Sequence, residues 1–129
     1  MPNSKVVSNY KDLKVFQNAM DLCMEIFWLT KSFPSEERYS LSDQVRRSSR
    51  SVCANIGEAW RKRRYKAAFV SKLSDAEAEA CETEVWIEIA FRCKYLERNV
   101  SIGLQDKCDH ITAQLVLMME HPEQWSLKK

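Results

Sequence analysis

Glycine and proline are scarce, with two and three residues in a chain of 129. A β-rich protein of this length needs many tight turns, and tight turns draw on Gly, Asn and Pro. The scarcity points instead to a few helices with a handful of connections. Long apolar runs are also missing. The longest clean one, Leu115–Met119, falls far short of the roughly 18–20 apolar residues of a membrane span. The opening MPNSKVVSNYK has no long apolar run after its first lysine, so no secretory signal is expected. A cytoplasmic location without membrane association is the expectation.

Motifs that carry chemistry are missing as well. The five cysteines, Cys23, Cys53, Cys81, Cys93 and Cys108, include no C-x-x-C pair. Each sits in a helical apolar pattern and is expected to act as a small free hydrophobe in a reducing compartment. The two histidines, His110 and His121, are preceded at three residues by Lys107 and Met118. The Glu-x-x-His pairs of a di-iron bundle are therefore absent, and neither a metal nor a cofactor is expected. No G-x-S-x-G, P-loop or dinucleotide fingerprint occurs. Cys108 and His110, two apart, would point roughly away from each other on a helix. No catalytic constellation is present, and the protein is not expected to be an enzyme.

Apolar residues make up 45% and charged residues 29% of the chain, as in an ordinary soluble domain able to bury a core. Asp12 is placed to cap a first helix. That helix has two adjoining apolar rows: Leu13, Phe16, Met20, Cys23, Phe27 and Thr30, then Val15, Ala19, Leu22, Ile26 and Leu29. Trp28 falls off both rows beside Asp21 and Glu25, and is a candidate oligomer contact. Phe33-Pro34 closes the helix. Ser40-Leu-Ser-Asp43 has capping-box form and opens a second helix with core row Leu41, Val45, Ser48, Val52, Asn55 or Ile56, and Ala59. Asn55 in that row is expected to be buried and hydrogen-bonded, with Gln44 and Glu58 as further structural polar residues.

Phe69, Leu73, Ala76, Ala80, Thr83, Ile87 and Ala90 mark one face of a third helix. Val85, Trp86, Ile89 and Phe91 spread apolar character round its second half, so it is expected to be covered on more than one side. Trp86, Glu84 and Glu88 are candidate contacts to a neighbouring subunit. Asn99 to Gly103 is expected to break the chain, with Ser101 capping a fourth helix striped by Leu104, Cys108, Ile111, Leu115 and Met118. The predicted fold is all-α, an up-down antiparallel four-helix bundle over about 10–121. Its helices cover about 12–32, 40–61, 65–97 and 101–121, between a loose tail at 1–9 and a frayed tail at 122–129 where Trp125 folds back.

Charge is distributed unevenly. Between Leu41 and Lys66 stand Arg46, Arg47, Arg50, Arg61, Lys62, Arg63, Arg64 and Lys66 against Asp43 and Glu58 only. This is a local charge of +6 in a chain of formal net charge +2. Cations at a helix C-terminus favour the dipole, which accounts for Arg61 and Lys62 but not for Lys66 at the start of the next helix. The eight basic residues are candidate nucleic-acid contacts, since the arginine fork suits phosphate; Trp60 and Tyr65 are candidates for stacking on bases. From Leu73 to Glu97, seven acidic residues face two basic ones. The basic corner meeting the acidic face of another subunit is thus the competing explanation, as in a head-to-tail ring.

Four elements occur in order: Asp12-Leu13-x-Val15-Phe16-x-x-Ala19, Phe33-Pro34-x-Glu36-Glu37-Arg38-Tyr39, Leu41-x-x-Gln44-x-Arg46-Arg47, and Ser51-Val52-x-x-Asn55-Ile56-Gly57-Glu58. Over Tyr10 to Leu96 the chain resembles the four-helix-bundle proteins of open reading frames within bacterial rRNA intervening sequences. Relatives of that family include the accessory variability determinant proteins of diversity-generating retroelements. The resemblance implies a non-enzymatic bundle assembled as a homopentameric ring. In the retroelement branch it implies a positive surface that binds nucleic acid and a reverse transcriptase. Arg46 and Arg47 match the family's paired basic residues, and Asn55 and Glu58 its Asn-Ile-x-Glu element. Where the family continues with Glu-Gly, Glu58 is followed here by Ala59, Trp60 and the Arg61–Arg64 run. The two functional expectations are a nucleic-acid-binding oligomer and a protein-interaction adaptor whose charged blocks serve assembly.

Overall fold

The structure, a computed structural model, describes residues 7–126. Four helices carry it: α1 (Lys14–Thr30), α2 (Leu41–Arg61), α3 (Lys66–Arg92) and α4 (Arg98–Glu120). Short 3-10 turns at Tyr10–Asp12, Ser35–Glu37 and Pro122–Gln124 complete the described residues, which contain no strand. Residues 1–6, most of the expected N-terminal tail, and 127–129, the end of the C-terminal tail, lie outside the described residues.

Cross-helix contacts fix the topology. Thr30 meets Arg46, and Cys23 meets Cys53, across α1 and α2. Ser48 meets Thr83, and Asn55 meets Lys72, across α2 and α3. Glu84 meets Asp109 across α3 and α4. Asn18 with Gln114, and Glu25 with Lys107, close α1 against α4. In each of the three helix pairs with two such contacts one number rises as the other falls, so neighbours run antiparallel. The result is an up-down four-helix bundle.

The third-helix row Phe69, Leu73, Ala76, Ala80, Thr83, Ile87 and Ala90 is buried throughout, as is the fourth-helix stripe from Leu104 to Met118. Fully burying one of the large aliphatic or aromatic chains contributes ~1.5–3 kcal/mol. The one polar pair at the centre, Ser48 and Thr83, is satisfied: their hydroxyls lie 2.8 Å apart, and Thr83 also donates to the Glu79 carbonyl at 2.9 Å.

Several local expectations give way. On α1 the core takes Val15, Ala19, Leu22 and Ile26 of the second row and Leu13, Cys23 and Thr30 of the first, whereas Phe16, Phe27 and Leu29 are half-buried and Met20 is exposed. The helix touches two neighbours, and only one arc of it can be covered. Asp12 does not cap α1, because Tyr10–Asp12 is itself a 3-10 turn and Leu13 takes the cap position. The Ser40 hydroxyl makes no cap bond either. Instead a Glu37 carboxylate oxygen accepts the Leu41 N–H at 3.2 Å, and its other oxygen accepts the Tyr95 hydroxyl at 2.8 Å. One side chain thus ties the α1–α2 connection to the α3–α4 connection.

The third helix stops at Arg92, five residues earlier than expected. Tyr95 N–H returns to the Ala90 carbonyl and Lys94 N–H to the Phe91 carbonyl, both at 2.9 Å. This is a Schellman end with Lys94 in the left-handed region at φ 69°, a position that glycine usually holds. Helix α4 accordingly starts at Arg98, and Ser101 and Gly103 lie inside it rather than in a break. Cys81 and Cys93 are exposed, so the small-hydrophobe reading fails for them, while Cys23, Cys53 and Cys108 are buried. The segment after α4 is not frayed at its start: Pro122–Gln124 turns, and Trp125 packs on the core.

Candidate nucleic-acid interface

Helix α2 ends at Arg61, and Lys62 to Tyr65 make the bend. Lys62 N–H reaches the Ala59 carbonyl and Tyr65 N–H the Lys62 carbonyl, each at 2.9 Å. Tyr65 is extended and passes the chain into α3, whose opening turn has no side-chain cap and no acidic residue. The up-down order puts this corner at the bundle end that also holds the start of α1 and the close of α4.

The eight basic residues separate by environment. Arg46 turns inward: its Nε donates to Thr30 Oγ1 at 2.7 Å, and its guanidinium lies 5.1 Å from the Phe27 ring centre. Arg47 pairs with Glu82 and, at 3.8 Å, Glu79 of α3. The acidic run is therefore partly paired inside the same chain, and not only available to a neighbouring subunit. Arg63 folds back, its Nε donating to the Trp60 carbonyl at 2.8 Å and its guanidinium 3.4 Å from the Trp60 ring centre. Burial lowers its pKa. Arg50, Arg61, Lys62, Arg64 and Lys66 are exposed and form no ion pair among the described residues.

The aromatic pair divides too. Trp60 is only 6% exposed and Arg63 covers its outer face, so it offers no platform for a base. Tyr65 is 64% exposed at the apex and remains a stacking surface. A further pair, Tyr10 and Phe16, packs edge to face at 5.0 Å. Both line an open cleft of about 620 Å³ between α1 and α2, with Arg50 and Arg61 along its α2 side. Those two arginines are eleven residues apart, or ~16 Å along one helix face. Sequence periodicity places Phe16 in the core row and does not reveal the cleft, which depends on how far α1 stands from α2.

Asn55 is half-buried rather than buried. Its amide donates to the Ser51 carbonyl at 3.0 Å, and its oxygen accepts Lys72 Nζ at 3.3 Å. Glu58, one turn on, holds the same Lys72 at 2.7 Å, and Asp75 stands 3.8 Å away. The hydrogen bond and charge of Lys72 lower the Glu58 pKa. The Asn-Ile-x-Glu element is thus a two-point clasp on one lysine of α3, and Lys72 is a residue that sequence patterning missed. Gln44 is half-buried and accepts Arg47 Nε at 3.5 Å.

Of the candidate oligomer contacts, Trp86 is half-buried with its Nε1 donating to Glu82 at 3.0 Å, and Glu88 pairs with Arg92 at 2.7 Å. Glu84 hydrogen-bonds Asp109; burial, followed by that bond and the Asp109 charge, raises its pKa to about 7. Trp28 is 62% exposed, and Met20 and Met24 precede it at four-residue steps, both exposed. Among the described residues no group of three or more His, Cys, Asp or Glu could hold a metal ion, and no helix is long and apolar enough to cross a membrane.

Comparison with known proteins places this geometry. The profile of a family described as "23S rRNA-intervening sequence protein" matches residues 11–116. The bundle is similar to the crystal structure of a protein of unknown function from the S23 ribosomal protein family of Bacteroides thetaiotaomicron. The two share 30% identity and a TM-score of 0.74 over 82% of this chain and 95% of the other. No curated protein matches the chain.

Proposed function

The chain belongs to the 23S rRNA-intervening sequence protein family, and from that premise we propose that it is a non-enzymatic nucleic-acid-binding protein. It takes a phosphate backbone on the corner between α2 and α3. The observation that carries this reading is the cluster Arg61, Lys62, Arg64 and Lys66, exposed and without ion pairs among the described residues, around the exposed Tyr65. Cations at the uncapped start of α3 cost stability, and an anion shared by them and the free N–H groups of that turn offsets the cost. Arg50 extends the positive track along α2. A family name that refers to 23S rRNA makes structured RNA the first ligand to try.

The contacts are to phosphate, so binding should be weakly sequence-specific and strongly salt-dependent. Affinity for structured RNA and for duplex DNA is measured over a salt series. Changing Arg61, Lys62, Arg64 and Lys66 together to Ala should cut the log–log salt slope on duplex by ~3–4. Arg47→Ala, which loses contacts to Glu79, Glu82 and Gln44 within the chain, should leave it unchanged. A quadruple variant that binds like the parent would refute the proposal.

A second reading, a protein-interaction adaptor, is favoured by the Met20-Met24-Trp28 stripe. Such a stripe serves self-association, including the homopentamer that the family resemblance implies, or a protein partner such as a reverse transcriptase. Trp28→Ala should then shift the mass seen by light scattering to the monomer. A monomeric parent protein would remove self-association as the role of the stripe.

A further inference from the structure

The floor of the α1–α2 cleft carries chemistry that nucleic-acid binding does not use. Cys23 of α1 and Cys53 of α2 both line it, 8% and 7% exposed, and each thiol is the strongest influence on the other's ionisation across the helix interface. Ala19 lies one turn before Cys23, and Ser49, Cys53 and Gly57 form a four-residue-step ridge on α2. A ridge of this kind allows the close backbone approach that a disulfide needs, with Cα atoms roughly 4.4–6.8 Å apart.

We propose that Cys23 and Cys53 are a peroxide-oxidisable dithiol that closes to an inter-helix disulfide. Cys23 supplies the thiolate and Cys53 resolves it. The surroundings favour a thiolate at the first position. The Cys53 thiol facing the Cys23 sulfur and the positive charge of Arg50 together outweigh burial and hold the Cys23 pKa below the ordinary thiol range. The proton left on Cys53 is correspondingly hard to remove. A thiolate in electropositive surroundings is the reactive form, and the cleft above it gives a small peroxide a way in.

The Cys23 thiolate attacks one oxygen of the peroxide, the O–O bond breaks, and hydroxide leaves, giving a sulfenic acid. The Cys53 sulfur then attacks the Cys23 sulfur, the S–O bond breaks, and water leaves with the Cys53 proton. The proton first lost by Cys23 neutralises the hydroxide. Two thiols and one hydrogen peroxide thus give one disulfide and two waters. The exposed Cys81 and Cys93 lie on α3 and at its end, away from this cleft.

The test uses the full chain with Cys81→Ser and Cys93→Ser, so that surface thiols do not contribute. After hydrogen peroxide, mass mapping should find one cross-link joining the Cys23 and Cys53 peptides, reversed by dithiothreitol. The thermal midpoint should rise by about 5 °C or more, because the link closes a thirty-residue loop. With Cys53→Ala added, and helical content checked, Cys23 should stop at a sulfenic acid that dimedone traps. Both thiols free to alkylation after oxidation would overturn the proposal. So would Cys23 running on to sulfinic acid beside an unreacted Cys53, or a dimer linked through either residue.

Discussion

Glu84→Gln should make the protein more stable above neutral pH. Glu84 on α3 is half-buried and faces Asp109 of α4. Burial and a neighbouring carboxylate both disfavour its charge, and its pKa rises from an ordinary 4.5 to about 7. The folded state therefore holds this proton more tightly than the unfolded chain does. That contribution is complete below about pH 4.5 and is lost as pH rises through about 7. One pKa unit is ~1.4 kcal/mol, so the full shift would reach ~3 kcal/mol; solvent screening of a half-exposed pair brings the expected loss to ~1–2 kcal/mol. Glutamine keeps the shape and the donor toward Asp109, and it cannot ionise. Urea unfolding followed by circular dichroism, at about pH 5.5 and about pH 8, gives the two stabilities for each protein. All other titrating groups are common to both, so the difference between the profiles isolates Glu84. Parallel profiles, or a variant weaker than the parent at the higher pH, would refute the reasoning.

Lys94→Gly should stabilise the bundle by ~0.5–1 kcal/mol, since glycine takes the left-handed conformation at no steric cost; a lower melting temperature would contradict it. Phe69→Ala, at a 2% exposed position, should cost ~3–5 kcal/mol in urea unfolding through lost burial and a residual cavity. Tyr95→Phe removes the hydroxyl that donates to Glu37 and should lower the melting temperature, by little because water can replace a bond this exposed. In the parent protein the same contact pushes the Tyr95 pKa up to about 12, so one tyrosine should ionise late in an ultraviolet pH titration.

The bundle was legible because helical periodicity reports burial directly. The α3 and α4 rows were read residue for residue, since each of those helices offers one continuous stripe to its neighbours. Boundaries were less legible where the deciding contact comes from elsewhere in the chain. Glu37, not Ser40, satisfies the opening of α2, and Lys94 ends α3 in a conformation that its side chain does not advertise. The site was half legible. Sequence marked the charge but could not separate Arg46, Arg47 and Arg63, which have internal partners, from Arg61, Lys62, Arg64 and Lys66, which have none among the described residues. Trp60 and Tyr65 looked alike as flanking aromatics, and packing buries one and exposes the other.

The bend between α2 and α3 contains neither glycine nor proline, and its direction is imposed by the long helices it joins. Arg63 is the one basic residue there whose side chain is packed in. The identities of residues 61, 62, 64 and 66 therefore carry almost no folding information. The chain can rewrite these four letters without losing its shape, so the charge of the corner can change while the architecture stays.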